Sequence, residues 1–164
     1  MKPLPNPSFI NRPVNRGQWT QEDVLEILCD PCTVGPGPYP AVISDDEYAQ
    51  VSLRMITELG SEQFLVNMQF LAKQHCQAID TMPEGRDVAV SNTNIVATGI
   101  GPYPQLISAE QWIRWAAEEI RKGGPARFMK NFVKEFKATM KGCTTSPQMG
   151  ALLSALQRSD WDAI

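Results

Sequence analysis

Five basic side chains, Arg127, Lys130, Lys134, Lys137 and Lys141, follow one another at steps of three, four, three and four residues. On a helix those steps confine them to about 80° of the surface, with Phe128, Phe132, Val133, Phe136 and Met140 gathered on the other side. The chemistry open to such a row is the binding of negative charge. Like charges at these spacings repel by roughly a few tenths of a kcal/mol per neighbouring pair, and two arrangements relieve the repulsion. One is a nucleic-acid backbone, which presents charge after charge and binds with strong salt dependence. The other is an ordinary solvated face paired with acidic residues of the chain's own first half.

A second group of chemistry-bearing residues is Cys29, Cys32, His75 and Cys76. "CDPC" at 29–32 has the spacing of a redox pair, but it follows a predicted helix, whereas thiolate activation uses a helix N-terminus. The four residues could also be counted as zinc ligands, yet adjacent residues on a helix diverge by about 100°, which strains a common tetrahedron. The expectation is no metal, with His75 a satisfied core residue. No Gly-rich phosphate loop follows a strand, and a single histidine limits triad chemistry. The chain therefore reads as a binding and assembly protein without a cofactor, a small-molecule substrate or a catalysed reaction.

The elements that must position these residues are helices. "GPYPAVIS" at 37–44 returns as "GPYPQLIS" at 101–108, and the 64-residue offset aligns 37–76 with 101–140 without a gap, with eleven identities in forty pairs. Thr20 with Asp23, Ser44 with Glu47 and Ser108 with Gln111 are spaced as capping boxes, and Ser146 before Pro147 suits a further helix start. Behind these caps the apolar residues recur at helical spacing, as in Tyr48, Val51, Met55, Ile56 and Leu59, or Met149, Leu152, Leu153 and Leu156. Gly60 and Gly123-Gly124 fall where one helix ends and the next begins. The expected fold is all-α, with two helical hairpins as an internal repeat (37–76 and 101–140), flanking helices, and an irregular linker near 80–100. Residues 19–164 form one helical domain. Residues 1–18, with four prolines, form an extended arm, in which Phe9 and Ile10 suit docking on an apolar groove of a neighbouring subunit, the alternative being a tail that is disordered or folds onto its own domain.

The formal charge of −3 conceals an uneven distribution. Residues 1–100 carry six Lys and Arg against twelve Asp and Glu, whereas residues 101–143 carry eight against four. The second hairpin is thus a basic segment in an acidic protein. At the places matching the basic row, the first hairpin has Gln63, Val66, Phe70, Lys73 and Gln77. No apolar run approaches the roughly 18 residues needed to span a bilayer. No membrane partner is expected, and four cysteines suit reduced thiols.

The order "FLAKQHCQAID", a loop, "TGIGPYPQLIS", an amphipathic helix and "GGPARFMKNFVKEF" resembles the coat-protein core of flexible filamentous plant viruses, potexviruses especially, over residues 44–140. The resemblance implies helical subunits that polymerise around single-stranded RNA, found in the virion and the host cytoplasm. It also implies homo-oligomerisation through the N-terminal arm, and RNA held by a Ser, an Arg and an Asp. Carried onto this chain, the small hydroxyl is Thr81, the arginine is Arg127, one residue closer to its phenylalanines than in the family pattern, and the aspartate is Asp162 in "DWDAI". The pattern departs there, because the family continues with a further helical stretch. The residues alone leave a rival open, a helical adaptor whose basic helix and Pro-rich arm engage proteins.

Overall fold

A computed structural model describes residues 2–9 and 17–145. Five helices account for most of them: α1 (Gln21–Cys29), α2 (Asp45–Leu59), α3 (Ser61–His75), α4 (Ala109–Gly123) and α5 (Pro125–Met140). The fold is all-α, with one small antiparallel sheet of β1 (Ile79–Thr81) and β2 (Thr144–Thr145). The helix expected behind Ser146 lies outside the described residues, as do Ile10 and Asp162.

The helices begin where the sequence caps them. Thr20 with Asp23 and Ser44 with Glu47 form reciprocal boxes, each side chain bonding the other residue's backbone N–H. Ser108 makes half of one. Its hydroxyl oxygen accepts from the Gln111 N–H at 3.1 Å, while the Gln111 carboxamide takes the Ser108 hydroxyl instead of the backbone N–H. Gly60 and Gly124 turn each hairpin in one residue at φ 87° and 88° with ψ near 150°, a region that side chains with a Cβ avoid.

Residues 64 apart make the same bonds. The Thr33 carbonyl accepts from the N–H groups of Val42 and Ile43 at 2.8 and 3.2 Å, and the Ala97 carbonyl accepts from Leu106 and Ile107 at the same two distances. Tyr39 donates its hydroxyl to the His75 carbonyl at 2.8 Å, as Tyr103 does to Thr139. Each tyrosine thereby satisfies one carbonyl that a helix end leaves without a partner. This is the use of the repeated "GPYP": a loop that runs from before one hairpin to the far end of the same hairpin. Exchanging the hairpins maps the packing of α2 on α5 onto that of α4 on α3, and β1 onto β2.

The core lies between the hairpins, where Tyr48, Phe64, Met68, Trp112 and Phe132 are fully buried. The stretch expected as an irregular linker is irregular over 82–94, and its end joins the core. Ile95–Ala97 form a 3-10 turn capped by the Asn94 side chain, and Ile95, Val96, Ala97 and Ile100 are wholly buried. Full burial of such aliphatic side chains contributes roughly 1.5–3 kcal/mol each. The run is too short to display a period, which is why the sequence hides it.

The described part of the arm lies on its own chain, across α3 and α4. Leu4 and Phe9 are half-buried against the core. Arg114 donates to the Lys2 carbonyl at 2.8 Å, Gln63 to the Asn6 carbonyl at 3.0 Å, and the Ser8 N–H to Asn67 Oδ1 at 3.0 Å. An extended Pro-rich segment has no helix or sheet to satisfy its backbone, so these side chains serve in place of one.

Candidate nucleic-acid interface

The inner side of α5 is a spine of stacked aromatics. Phe128 and Phe132 have ring centroids 6.2 Å apart, Phe132 and Phe136 5.7 Å, and all three are buried. With Met129, Val133 and Met140 also buried, the helix cannot rotate about its axis without exposing the spine, and its outer face is fixed. That face carries Arg127, Lys130 and Lys134, all exposed. Among the described residues these three cations have no hydrogen bond or ion pair. They span seven residues, about 10 Å along the axis.

The other two members of the expected row differ. Lys137 Nζ is 3.0 Å from Asp45 Oδ1 in the first turn of α2, so an acidic residue of the first half neutralises this one position. Asp45 is there because Asp45, Asp46 and Glu47 complement the positive N-terminal end of α2. Lys141 lies beyond the helix. α5 ends at Met140, and Lys141 turns away with φ −59° and ψ 130°. The row on the helix is therefore four residues long, not five, with three charges unpaired among the described residues.

Between α5 and α2 runs an open groove of about 580 Å³. Lys130, Asn131 and Lys134 stand on one wall, Asp45, Asp46 and Gln50 on the other, with Ala49, Leu53 and Val133 between them. Under the 64-residue offset this groove corresponds to the α3–α4 surface that holds the arm. Asn131 corresponds to Asn67, Arg127 to Gln63 and Gln50 to Arg114, so each side chain that bonds the arm backbone has a donor-bearing counterpart. Sequence reasoning missed Asn131 and Gln50. Their signal was Asn67 and its identity to Asn131 across the offset, which gains meaning only once the arm is seen on Asn67.

Thr81 is exposed on β1, opposite Thr144 on β2, and its hydroxyl donates to Asp80 at 3.0 Å. β2 follows the C-terminal end of α5, whereas Arg127 is in the first turn of that helix, about 20 Å away along its axis. Thr81 and Arg127 are thus not brought together, and the hydroxyl–arginine pair implied by the resemblance is not assembled. Of the two dockings open to Phe9, on a neighbouring subunit or on its own domain, the structure has the second.

The cysteines and His75 disperse to different partners. Cys29 is buried, and burial pushes its thiol up to about 12. Cys32 Sγ meets Cys76 Sγ at 3.3 Å, not Cys29. His75 is no core residue: its side chain is one-third exposed, with Nδ1 2.8 Å from Asp30 Oδ2 and Nε2 3.6 Å from Glu26 Oε1. The Asp30 hydrogen bond raises its pKa above the ordinary value, against the opposing effect of burial. Among the described residues no group of three or more His, Cys, Asp or Glu is arranged to hold a metal ion.

Compared with known proteins, the chain matches no family model, no curated sequence and no solved structure. No helix among the described residues is long and apolar enough to cross a membrane.

Proposed function

We propose that the protein is a coat-type assembly subunit that binds single-stranded RNA through its phosphates, without reading sequence, on the outer face of α5. The observation that carries this reading is the row of Arg127, Lys130 and Lys134, exposed and unpaired among the described residues, on a helix whose other face is locked by a phenylalanine spine. Phosphates relieve the mutual repulsion of the row and release counterions on binding. In this reading the work is binding and self-association, in the virion and host cytoplasm, and no reaction is catalysed.

The test is a titration of fluorescent oligo(U) and oligo(A) at several salt concentrations. Changing Arg127, Lys130 and Lys134 together to Gln should weaken both oligonucleotides alike and flatten the slope of log K against log salt by about 0.7 per lost contact. An unchanged slope would leave the row a solvated face.

A second reading, a helical adaptor that takes an extended peptide, is favoured by one observation: the open α2–α5 groove corresponds to the surface that already grips the arm by its backbone carbonyls. Protein purified without nuclease distinguishes the two. RNA that co-purifies raises the ratio of absorbance at 260 nm to that at 280 nm above the value set by four tryptophans, and a peptide partner leaves it unchanged.

A further inference from the structure

Cys32 and Cys76 are both thiols, 44 residues apart in sequence, with their sulfurs 3.3 Å apart. Cys32 is in the short 3-10 turn Pro31–Val34, and its side chain is partly exposed. Cys76 is wholly buried at the C-terminal cap of α3. At the corresponding places of the second hairpin stand Val96 and Met140, each fully buried. The same shape is therefore filled there by apolar side chains that cannot be oxidised to a cross-link. Packing alone does not call for two thiols in contact, and the sulfur that Cys32 meets is that of Cys76, not of Cys29, the sequence neighbour that a redox reading pairs with it.

We propose that Cys32 and Cys76 are a site of reversible oxidative modification, closing to an intramolecular disulfide that staples the Pro31–Val34 turn to the end of α3. The sulfurs need to approach from 3.3 Å to about 2.05 Å. With a low-molecular-weight disulfide such as glutathione disulfide as oxidant, the steps balance. The Cys32 thiolate, the accessible one, attacks a glutathione sulfur and expels one glutathione thiolate, which takes up a proton. The Cys76 thiolate then attacks Cys32 Sγ in the mixed disulfide and expels the second glutathione, which is protonated in turn. Two protein thiols are oxidised, and one glutathione disulfide is reduced to two thiols. The hydrogen bond with Cys76 and burial hold the Cys32 thiol well above its ordinary pKa, so the closure is slow at neutral pH and quickens toward alkaline pH.

The staple joins the turn that leads into "GPGPYP" to the helix end that Tyr39 already clamps through the His75 carbonyl. It therefore tightens the first hairpin alone. The second hairpin, with Val96 and Met140, has no counterpart.

The reduced full chain is incubated with glutathione disulfide at neutral and alkaline pH, blocked with iodoacetamide, and read by peptide mass mapping and thermal melting. The expected product is a Cys32–Cys76 peptide about 2 Da lighter than its two reduced parts. It should form faster at the higher pH and raise the melting temperature by about 5–10 °C. Cys29→Ser and Cys143→Ser retain the product, while Cys32→Ser and Cys76→Val abolish it. A Cys29–Cys32 link, a lasting glutathione adduct on Cys32, or full alkylation of unlinked Cys32 and Cys76 would each overturn the proposal. The map of the unsubstituted chain decides this by itself, whether or not a variant folds.

Discussion

Asn67 and Asn131 hold corresponding positions in the two hairpins, yet Asn67 is fully buried and grips the arm, whereas Asn131 is exposed and lines an open groove. Asn67 accepts the Ser8 N–H at 3.0 Å and donates to the Ser8 hydroxyl at 3.1 Å, while Gln63 donates to its oxygen at 2.9 Å. The same residue type thus has a structural duty in one copy and, among the described residues, an amide without a partner in the other.

Asn67→Ala leaves the Ser8 N–H and the Gln63 carboxamide without this partner and should lower stability by about 1–3 kcal/mol. Asn131→Ala should stay within about 0.5 kcal/mol of the parent. Urea denaturation of the two variants checks the contrast. Equal losses would mean that the arm contributes nothing to the fold.

The two serine caps should cost much the same. Ser44→Ala and Ser108→Ala each remove one hydroxyl that accepts a backbone N–H, worth about 1 kcal/mol. Glu47 keeps its bond to the backbone N–H of residue 44, whereas Ser108→Ala also frees the Gln111 carboxamide, so the loss at Ser108 should equal or slightly exceed that at Ser44. Thermal melts of both proteins at one pH compare them. A clearly larger loss at Ser44 would show that the two halves of its box are coupled.

The Lys137–Asp45 pair yields a prediction with an unusual sign. Asp45→Asn releases Lys137 and, on the proposed RNA-binding reading, should strengthen RNA binding, with the salt slope steeper by about 0.7. The pair is half-exposed, so its own coupling should be roughly 0.2–1 kcal/mol in a double-mutant cycle and weaken with salt. Weaker RNA binding by Asp45→Asn would show that Asp45 positions the row instead of masking it.

His75 makes stability depend on pH in a defined direction. Its pKa is raised in the fold by Asp30, so the stabilisation is complete below the unfolded imidazole value of 6.5 and is lost as pH rises through the higher folded value. The stability difference between the parent and His75→Gln, from urea curves, should therefore be larger near pH 5.5 than near pH 8.5. A flat difference would remove the ion pair with Asp30 from the account.

The helices were legible because their signals are local. Ser44 and Glu47 are three residues apart, and the spine of Phe128, Phe132 and Phe136 repeats at four. What escaped was the meeting of distant residues. Nothing near Lys137 announces Asp45, 92 positions away, and nothing near Cys32 announces Cys76. The burial of Ile95 to Ile100 escaped for a different reason, since a turn of 3-10 geometry has no extended apolar period. At Lys141 the spacing continued past the residue where the backbone stopped following it.

The 64-residue offset has a consequence for the two faces of the molecule. It pairs α2 with α4 and α3 with α5, so the order of helices scarcely tells one hairpin from the other. Chemistry does: where α5 holds Lys130 and Lys134 in the open, α3 has Val66, which is buried, and Phe70, which is half-buried. Two hairpins of like build thus end with unlike surfaces, one charged and bare, the other apolar and already occupied by the chain's own first residues.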